Sequence, residues 1–196
     1  MPVMKLILAS GSLRRAEILA AAGIPFEVRA TKTDESRLAG ESPEQMVERL
    51  ARTKAQAAAT DVNASSLYMI LGADTVVVEG EEILGKPQNA ADARRMLLKL
   101  RGREHRVITG FALLRVQDGE IRAGHETTRV WLSAMTDAEV DAYVASGEPL
   151  DKAGAYAIQG IAGRYIPRIE GCYFNVVGLP LARVWKALTD LGWPNT

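Results

Sequence analysis

Two kinds of hydrophobic pattern alternate along this chain. In some segments the apolar residues form short continuous runs, and in others they recur every three or four residues. Short runs rich in β-branched residues predict strands, and the longer spacing predicts amphipathic helices. The runs predict strands at Met4–Ala9, Phe26–Ala30, Tyr68–Val78, Glu82–Leu84, Arg106–Val116 and Ile121–Leu132. The helical spacing predicts helices at Leu13–Ala22, from Ser42-Pro43 onward, and at Ala90–Leu100, Asp137–Ser146 and Leu181–Leu191. Strands and helices in alternation predict an α/β protein with a mixed sheet.

Turn and cap residues mark several of these boundaries. Ser42-Pro43 supplies an N-cap and a first-turn proline, and Gln45 stands where a capping box requires it. Gln117–Glu120 contains an Asp-Gly pair, which predicts a hairpin between two long strands. In the first helix, the spacing puts Leu13 and Leu19 on the buried face.

The composition is that of an ordinary globular protein. Its 196 residues suit one domain, or two lobes that share a core, and 47% of them are hydrophobic. The chain has 24 basic and 24 acidic residues, so it has no net positive charge that would attract nucleic acid. One cysteine excludes an internal disulfide, and two isolated histidines are too few for a zinc site. No apolar run is long enough to span a membrane, so we expect a soluble, cytoplasmic protein.

The first strand leads through Ser10-Gly11-Ser12 into a helix whose first turn carries Arg14 and Arg15. A helix N-terminus has a partial positive charge and usually recruits Asp or Glu, so two arginines there indicate a missing anion. Backbone N–H groups of the loop, with Ser10 and Ser12, can hold a phosphate. The arginines can add charge-assisted hydrogen bonds. The alternative is an ordinary strand–turn–helix with solvated arginines.

Gly80–Lys86 matches the first seven positions of a P-loop but does not have its chemistry. The eighth position is Pro87, which has no hydroxyl for a metal and disfavours a helix start at Lys86. Glutamates would also lie inside the anion cradle. The stretch therefore predicts a hairpin, at whose end Lys86 is either a ligand-binding lysine or an exposed one.

Asp74 interrupts a strongly β-forming stretch, Tyr68–Val78. Aspartate is disfavoured in strands, so this carboxylate is held for chemistry or satisfied by backbone donors at a bulge. Asp34 and Glu35 follow the second strand and are candidate companions for a hard divalent cation such as Mg²⁺, which prefers oxygen ligands. These residues predict a metal site that includes Glu35 and Asp74.

Two further stretches allow more than one interpretation. A basic stretch, Arg94–Arg106, either contacts nucleic-acid phosphates or forms the solvated face of a helix, and the zero net charge favours the solvated face. The segment Glu148–Gly163 places glycines around Tyr156 and Gln159. Glycines allow close approach to a ligand, and the Gln159 amide can read a base edge. The alternative is a tight loop with Tyr156 in the core.

Five blocks, taken in order along the chain, resemble the Maf family of septum formation inhibitor proteins, which are nucleoside triphosphate pyrophosphatases. The blocks are "LASGSLRRAEIL", "LGADTVV", "LGKP", "DKAGAYAIQG" and "EGCYFNVVGLPL". The family usually has proline where Leu13 stands, a difference that affects the stiffness of the loop. The resemblance implies two α/β lobes around a long twisted sheet with the active cleft between them, a homodimer, and hydrolysis between the α- and β-phosphates with Mg²⁺ or Mn²⁺.

The resemblance also implies roles for single residues. Asp74 becomes the proton acceptor, and the substrate-selecting residues are Arg14, Thr75 and Gln159. Lys54, Lys86 and Glu35 line the site. The "DKAGAYAIQG" block is similar to the subgroup that acts on dTTP and UTP. The competing hypotheses are a nucleotide- or RNA-binding regulator of cell division without turnover, and a pyrophosphatase for another base such as 7-methyl-GTP.

Overall fold

A computed structural model describes residues 4–60, 62–63 and 67–194. Within these ranges the chain forms one seven-stranded sheet with flanking helices. The strands are β1 (Lys5–Leu8), β2 (Phe26–Val28), β3 (Tyr68–Glu79), β4 (Glu82–Leu84), β5 (Glu104–Arg115), β6 (Ile121–Trp131) and β7 (Arg168–Glu170). The helices are α1 (Leu13–Ala21), α2 (Pro43–Ala59), α3 (Ala90–Leu100), α4 (Asp137–Ala145), α5 (Tyr173–Val177) and α6 (Leu181–Asp190). Short 3₁₀-helices lie at Glu148–Asp151, Ala153–Ala155 and Ile161–Tyr165.

The sheet is mixed, which confirms the predicted fold class. Its strand order is β2-β1-β3-β5-β6-β7, with β4 paired to β3 outside this path. Strand β1 runs parallel to β2 and β3, whereas the β3/β4 and β6/β7 pairs are antiparallel. The sequence did not predict β7, because three residues after Pro167 are too few to show a period of two.

The local signals at turns and caps are confirmed. Ser42 Oγ accepts a hydrogen bond from the Gln45 N–H, and the Gln45 side chain accepts one from the Ser42 N–H. The Gln117–Glu120 turn is closed by a bond from the Arg115 N–H to the Glu120 carbonyl oxygen at 2.9 Å. These interactions involve residues at most five positions apart, so the sequence carries them directly.

Helix α1 begins where it was predicted, but its buried face is different. Leu13 is 77% exposed, and the buried residues are Arg15, Ile18 and Leu19. Leu13 lies roughly 200° around the helix from Arg15, so the two side chains point in nearly opposite directions. The predicted burial of Leu13 is therefore wrong, and a charged residue takes the inward position.

The chain divides into two compact units, with boundaries inside β3, β5 and β6. The first consists of Met1–Asp74, Thr109–Glu126 and Gly178–Thr196, and the second of Thr75–Ile108 and Thr127–Val177. The first unit has a core of aliphatic residues from β1, α2, β3 and β5. Its buried members are Ile7, Ala9, Ala51, Ala55, Ala58, Ile70, Ala112 and Leu114.

In the first unit, two glycines let α2 approach the sheet at short range. A Cβ atom on Gly72 of β3 would lie 2.1 Å from the Ala51 carbonyl oxygen of α2. A Cβ atom on Gly110 of β5 would lie 2.3 Å from the Val47 carbonyl oxygen. Only glycine, which has no Cβ, permits this contact between strand and helix backbones.

In the second unit, the β3/β4 hairpin pairs Val78 with Ile83, which confirms a hairpin in place of a P-loop. The core of this unit joins the hairpin to α3, α4 and the 3₁₀ segments. Its large buried members are Val77, Leu84, Met96, Leu97, Leu100, Val107, Val130, Leu132, Met135, Val140, Tyr143, Tyr156 and Tyr165. Tyr156 is thus a core residue, in line with the structural alternative for the segment Glu148–Gly163.

Carboxylates surround the basic stretch that begins in α3. Arg94 Nε lies 2.6 Å from Asp141, Arg95 contacts Glu82, and Arg103 lies 3.3 Å from Glu79. This arrangement is that of a solvated helix face whose charges are neutralised locally.

In the part of the chain that the structure describes, every helix falls short of the length and apolar character needed to cross a membrane.

Candidate active site

The centre of a polar cluster in the first unit is the ammonium group of Lys54. It donates a hydrogen bond to Asp74 Oδ1 at 2.6 Å and lies 2.6 Å from Glu35 Oε1. The side chains of Lys54 and Asp74 are only 10% and 11% exposed, whereas Glu35 is 56% exposed. Buried polar side chains of this kind need a partner, and here Lys54 and Asp74 satisfy each other by a direct hydrogen bond. The cluster brings together three of the predicted site residues.

The close packing of α2 explains how Lys54 reaches Asp74. Side chains two residues apart on a strand share a face, so Asp74 lies on the face of β3 that Gly72 presents to α2. Lys54 follows Ala51, the helix residue opposite Gly72, by about one turn. Strand β3 is continuous through Asp74, and Lys54 donates a hydrogen bond to its carboxylate.

Arg15 is buried beneath the loop that connects β1 to α1. Its Nε atom donates to the Gly178 carbonyl oxygen at 2.8 Å. Its Nη1 atom donates to Ser10 Oγ at 2.9 Å and to the Ala73 carbonyl oxygen at 3.0 Å. Burial lowers the pKa of the Arg15 guanidinium, and the charge of Asp74 opposes that shift. Arg15 therefore fixes the backbone immediately before Asp74 as well as the Ser10 side chain.

The N-terminus of α1 has the features of an anion site. Ser12 is the N-cap residue, but its side chain makes no capping hydrogen bond, and the first turn contains no acidic residue. The Ser12 N–H donates to Ser10 Oγ at 3.3 Å, which shapes the loop. Arg14 is half-buried in the first turn. Helix dipole and arginine charge thus act in the same direction here.

A second ion pair braces the loop that carries Glu35. Glu41 is 8% exposed, and its two carboxylate oxygens accept hydrogen bonds from Arg49 Nε at 2.6 Å and Nη2 at 2.8 Å. Arg49 Nη2 also donates to the Ser36 carbonyl oxygen at 3.0 Å, next to Glu35. These bonds with Arg49 hold the pKa of the Glu41 carboxyl below its usual value. Sequence reasoning missed this pair.

Asp34, which was predicted beside Glu35, has a local role. Its Oδ1 atom accepts hydrogen bonds from Ser36 Oγ at 2.7 Å and from the Ser36 N–H at 2.9 Å. These bonds lower the pKa of the Asp34 carboxyl. The structure therefore places Glu35, and not Asp34, at the ammonium group of Lys54.

The other predicted site residues belong to the second unit. Thr75 is half-buried in β3, and both Lys86 and Gln159 are exposed. Among the residues that the structure describes, none forms a side-chain hydrogen bond with Lys86 or Gln159. The Gly154 N–H donates to the Gly85 carbonyl oxygen at 3.1 Å. This bond ties the turn before Lys86 to the segment that leads to Gln159.

A buried histidine–tyrosine pair supports the same segment. His105 Nε2 lies 2.7 Å from the Tyr156 hydroxyl, and the two rings meet edge to face. Burial lowers the pKa of His105 to about 4, so the imidazole is neutral at physiological pH.

Within the described ranges, no three His, Cys, Asp or Glu side chains are grouped to hold a metal ion.

Comparisons with known proteins identify the family. The model of the family described as "Maf-like protein" matches residues 5–191. The chain belongs to the Maf-like family. A relative from Vibrio cholerae serotype O1, named dTTP/UTP pyrophosphatase, is 50% identical over 92% of this chain and 95% of its own length. A relative from Geotalea uraniireducens, which carries the same name, is 50% identical over 95% of both chains.

Among solved structures, the Staphylococcus aureus Ham1 protein has a TM-score of 0.43 and 15% identity over 65% of this chain and 71% of that chain. The Maf-like family assignment rests on the family model and the curated relatives. It confirms the resemblance drawn from the five sequence blocks.

Proposed function

We propose that this protein is a nucleoside triphosphate pyrophosphatase that hydrolyses dTTP and UTP to the monophosphate and pyrophosphate. The observation that carries the proposal is the buried Asp74–Lys54 pair with Glu35, in a chain 50% identical to relatives with that name. A buried strand carboxylate paired with a lysine costs desolvation energy, and a role in chemistry accounts for it.

In the proposed reaction, a water oxygen attacks the α-phosphorus, and the bond from that phosphorus to the bridging oxygen of the β-phosphate breaks. Pyrophosphate leaves with the bond electrons. Asp74 accepts the proton that the water loses, through a carboxylate held in place by Lys54 Nζ at Oδ1. Arg15 keeps this carboxylate in position because it binds the carbonyl oxygen of Ala73.

The phosphate chain, with about four negative charges at neutral pH, would be held by cations and N–H groups. We assign this role to the α1 N-terminus with Ser10, Ser12, Arg14 and Arg15, and to Lys54 and Lys86. Arg15 acts from beneath the loop, because its Nε and Nη1 atoms bind protein oxygens. Lys86 is exposed and unpaired within the described residues, so it can bind phosphate without losing an internal contact.

We assign selection of the base to Gln159, Thr75 and Arg14. The primary amide of Gln159 has one acceptor and two donors, which can pair with the alternating groups of a uracil-type edge. Its exposure leaves the amide available to a ligand. This assignment predicts that uracil and thymine nucleotides are better substrates than purine nucleotides.

The carboxylates of Glu35 and Asp74 fit a divalent cation. Both lie 2.6 Å from the same Lys54 nitrogen, so their oxygens face one point. Mg²⁺ in nucleotide enzymes is usually held by one or two carboxylates together with substrate phosphates. We propose that Glu35 and Asp74 hold Mg²⁺ or Mn²⁺, which when bound neutralises phosphate charge.

Turnover of a nucleotide panel, with product identification, tests the function. We expect pyrophosphate and monophosphate from dTTP and UTP, at higher kcat/KM than from dATP, dGTP or 7-methyl-GTP. Asp74→Asn keeps an acceptor for Lys54 but cannot take a proton, so kcat should fall about 10²–10⁴-fold. Asp34→Asn is the matched control in the same unit, and it should retain activity.

Three outcomes would each contradict a part of the proposal. Nucleotide binding without pyrophosphate release would favour the non-catalytic regulator. Turnover of Asp74→Asn within a few-fold of the parent would show that Asp74 is structural. Preference for a purine would remove the base assignment and leave the reaction intact.

The family resemblance leads us to propose two further properties, a cytoplasmic location and a homodimer. We also propose that nucleic acid is not a partner, since the net charge is zero and carboxylates neutralise the basic stretch of α3. Sedimentation of the purified protein at several concentrations measures its oligomeric state.

A further inference from the structure

The loop formed by residues 157–161, which we call the Gln159 loop, is anchored at both ends by one pair of side chains. Tyr143 of α4 donates its hydroxyl hydrogen to Glu148 Oε1 at 2.8 Å. The same hydroxyl oxygen accepts from the Ala157 N–H at 3.3 Å. Glu148 Oε2 accepts from the Ile161 N–H at 3.0 Å. The pair thus binds the residue that begins the loop and the residue that ends it.

Gly160 brings the Glu148 carboxylate against the loop backbone itself. A Cβ atom on Gly160 would lie 2.2 Å from Glu148 Oε1 and 2.4 Å from Cδ. Its φ of −107° and ψ of −154° are open to other residues, so backbone conformation does not require glycine here. The space that a side chain would take is the space that the carboxylate fills.

Burial and internal bonds fix the pair itself. Tyr143 is a fully buried side chain in the core of the second unit. Burial and the neighbouring Glu148 raise the pKa of the Tyr143 phenol above its ordinary value, so the hydroxyl stays a donor. Lys152 Nζ donates to the Glu148 carbonyl oxygen at 2.7 Å and holds the backbone of that residue. Gln159, between the two anchored ends, is exposed.

We propose that Tyr143 and Glu148 are positioning residues that set base selectivity by fixing the loop on which Gln159 is displayed. The inference rests on the proposed function, in which Gln159 reads the base. An amide discriminates donor from acceptor groups only if its orientation is fixed, because a mobile amide can rotate to suit either. Loosening the anchors should therefore reduce discrimination more than it reduces turnover.

UTP and CTP provide the test, since their bases differ in a carbonyl oxygen or an amino group at position 4. We would measure the ratio of kcat/KM for UTP over CTP in the parent, Tyr143→Phe, Glu148→Gln and Gln159→Ala. We expect Gln159→Ala to lower the ratio, and both anchor variants to lower it by about fivefold or more. In the two anchor variants, Tyr143→Phe and Glu148→Gln, the kcat for UTP should stay within about threefold of the parent.

Tyr165→Phe is the matched control. It also deletes a tyrosine hydroxyl that donates to a glutamate, Glu139 at 3.3 Å, but its bond lies outside the Gln159 loop. The ratio should be unchanged in this variant. Amide hydrogen exchange gives a readout independent of activity, because the Ala157 and Ile161 amides should exchange faster in both anchor variants.

The outcomes separate the inference from the proposed function. An unchanged UTP/CTP ratio in both anchor variants, with a lower ratio in Gln159→Ala, overturns the inference and leaves the function standing. An unchanged ratio in Gln159→Ala removes the base-reading role and the inference together. If Tyr143→Phe does not fold, the test rests on Glu148→Gln and on a second variant, Gly160→Ala, which displaces the Glu148 carboxylate.

Discussion

Glu41→Gln tests whether the Glu41–Arg49 pair holds the Glu35 loop. The carboxylate accepts bonds from Arg49 Nε at 2.6 Å, from Arg49 Nη2 at 2.8 Å and from the Leu38 N–H at 3.1 Å. The neutral amide of glutamine has one acceptor oxygen, so its NH₂ group would face an N–H donor. The substitution therefore weakens the pair without changing its size.

The magnitude follows from these contacts. A hydrogen bond to a charged group contributes about 1.5–3 kcal/mol, and a partly exposed partner reduces the value. Arg49 is 29% exposed, so we expect Glu41→Gln to lower the free energy of unfolding by about 2 kcal/mol. In a chain of this length, that corresponds to a Tm lower by about 4–8 °C.

The pH dependence has a definite sign. Hydrogen bonds with Arg49 lower the pKa of Glu41 in the folded state. A group of this kind stabilises the fold above its unfolded pKa of about 4.3, and the contribution is lost as the pH falls through the folded-state pKa. The Tm difference between parent and Glu41→Gln should thus be full at pH 7 and shrink in acid, where the parent also loses its carboxylate.

Thermal unfolding between pH 7 and pH 3 measures both effects. Glu17→Gln, an exposed carboxylate on α1, is the matched control and should leave Tm unchanged. The activity of Glu41→Gln should also fall, because Arg49 would hold the loop that carries Glu35 less firmly. A Tm equal to that of the parent, or a difference that is as large at pH 3 as at pH 7, would refute the reasoning.

Two further substitutions in the first unit test the packing of α2 on the sheet and the stiffness of the loop before α1. Gly72→Ala would place Cβ 2.1 Å from the Ala51 carbonyl oxygen. We expect the free energy of unfolding, measured with denaturant, to fall by about 3 kcal/mol, and kcat to fall as well. Gly85→Ala is the control and should leave stability unchanged, because no atom beyond its chain neighbours lies within 4 Å of its added Cβ. Leu13→Pro should raise stability by about 0.4–1 kcal/mol in thermal melts, because Ser12 has φ −73° and ψ 115°, which suit a residue before proline, and position N1 accepts it. A destabilised Leu13→Pro protein would show that the loop needs the Leu13 N–H.

The sequence predicted the features of the fold that depend on neighbouring residues. The capping box at Ser42, the Gly80 turn of the β3/β4 hairpin and the bounds of α3 are all confirmed. In each case the signal and the structure lie within a few residues of each other, so the sequence contains the whole interaction. The same holds for the rejected P-loop, since Pro87 stands next to the lysine.

The sequence could not predict contacts between distant residues. The sequence predicted Arg15 as an anion-binding residue, with a solvated arginine as the alternative, and neither anticipated its burial. Its guanidinium binds oxygens of Ala73 and Gly178, 58 and 163 residues away. A buried arginine has no local signature, because its partners are backbone carbonyl groups that every residue possesses. The segment Glu148–Gly178 is similar, since its 3₁₀-helices depend on contacts such as that of Glu148 with Ile161.

The Glu41–Arg49 pair was missed for a different reason. Its two residues are eight positions apart, and opposite charges at that distance are common on exposed helices and loops. What distinguishes this pair is the burial of Glu41, which only the folded chain reveals.

Helix α2 connects these observations into one arrangement. Through Gly72 and Gly110 the sheet fixes the position of α2, and through Lys54 and Arg49 the same helix holds Asp74 and the Glu35 loop. The two cations lie roughly one and a half turns apart on α2. A rigid helix thus sets the distance between the carboxylates of Asp74 and Glu35, which come from different parts of the chain. Any shift of α2 on the sheet must move Lys54 relative to Asp74, so the two glycines help to set the geometry of the site.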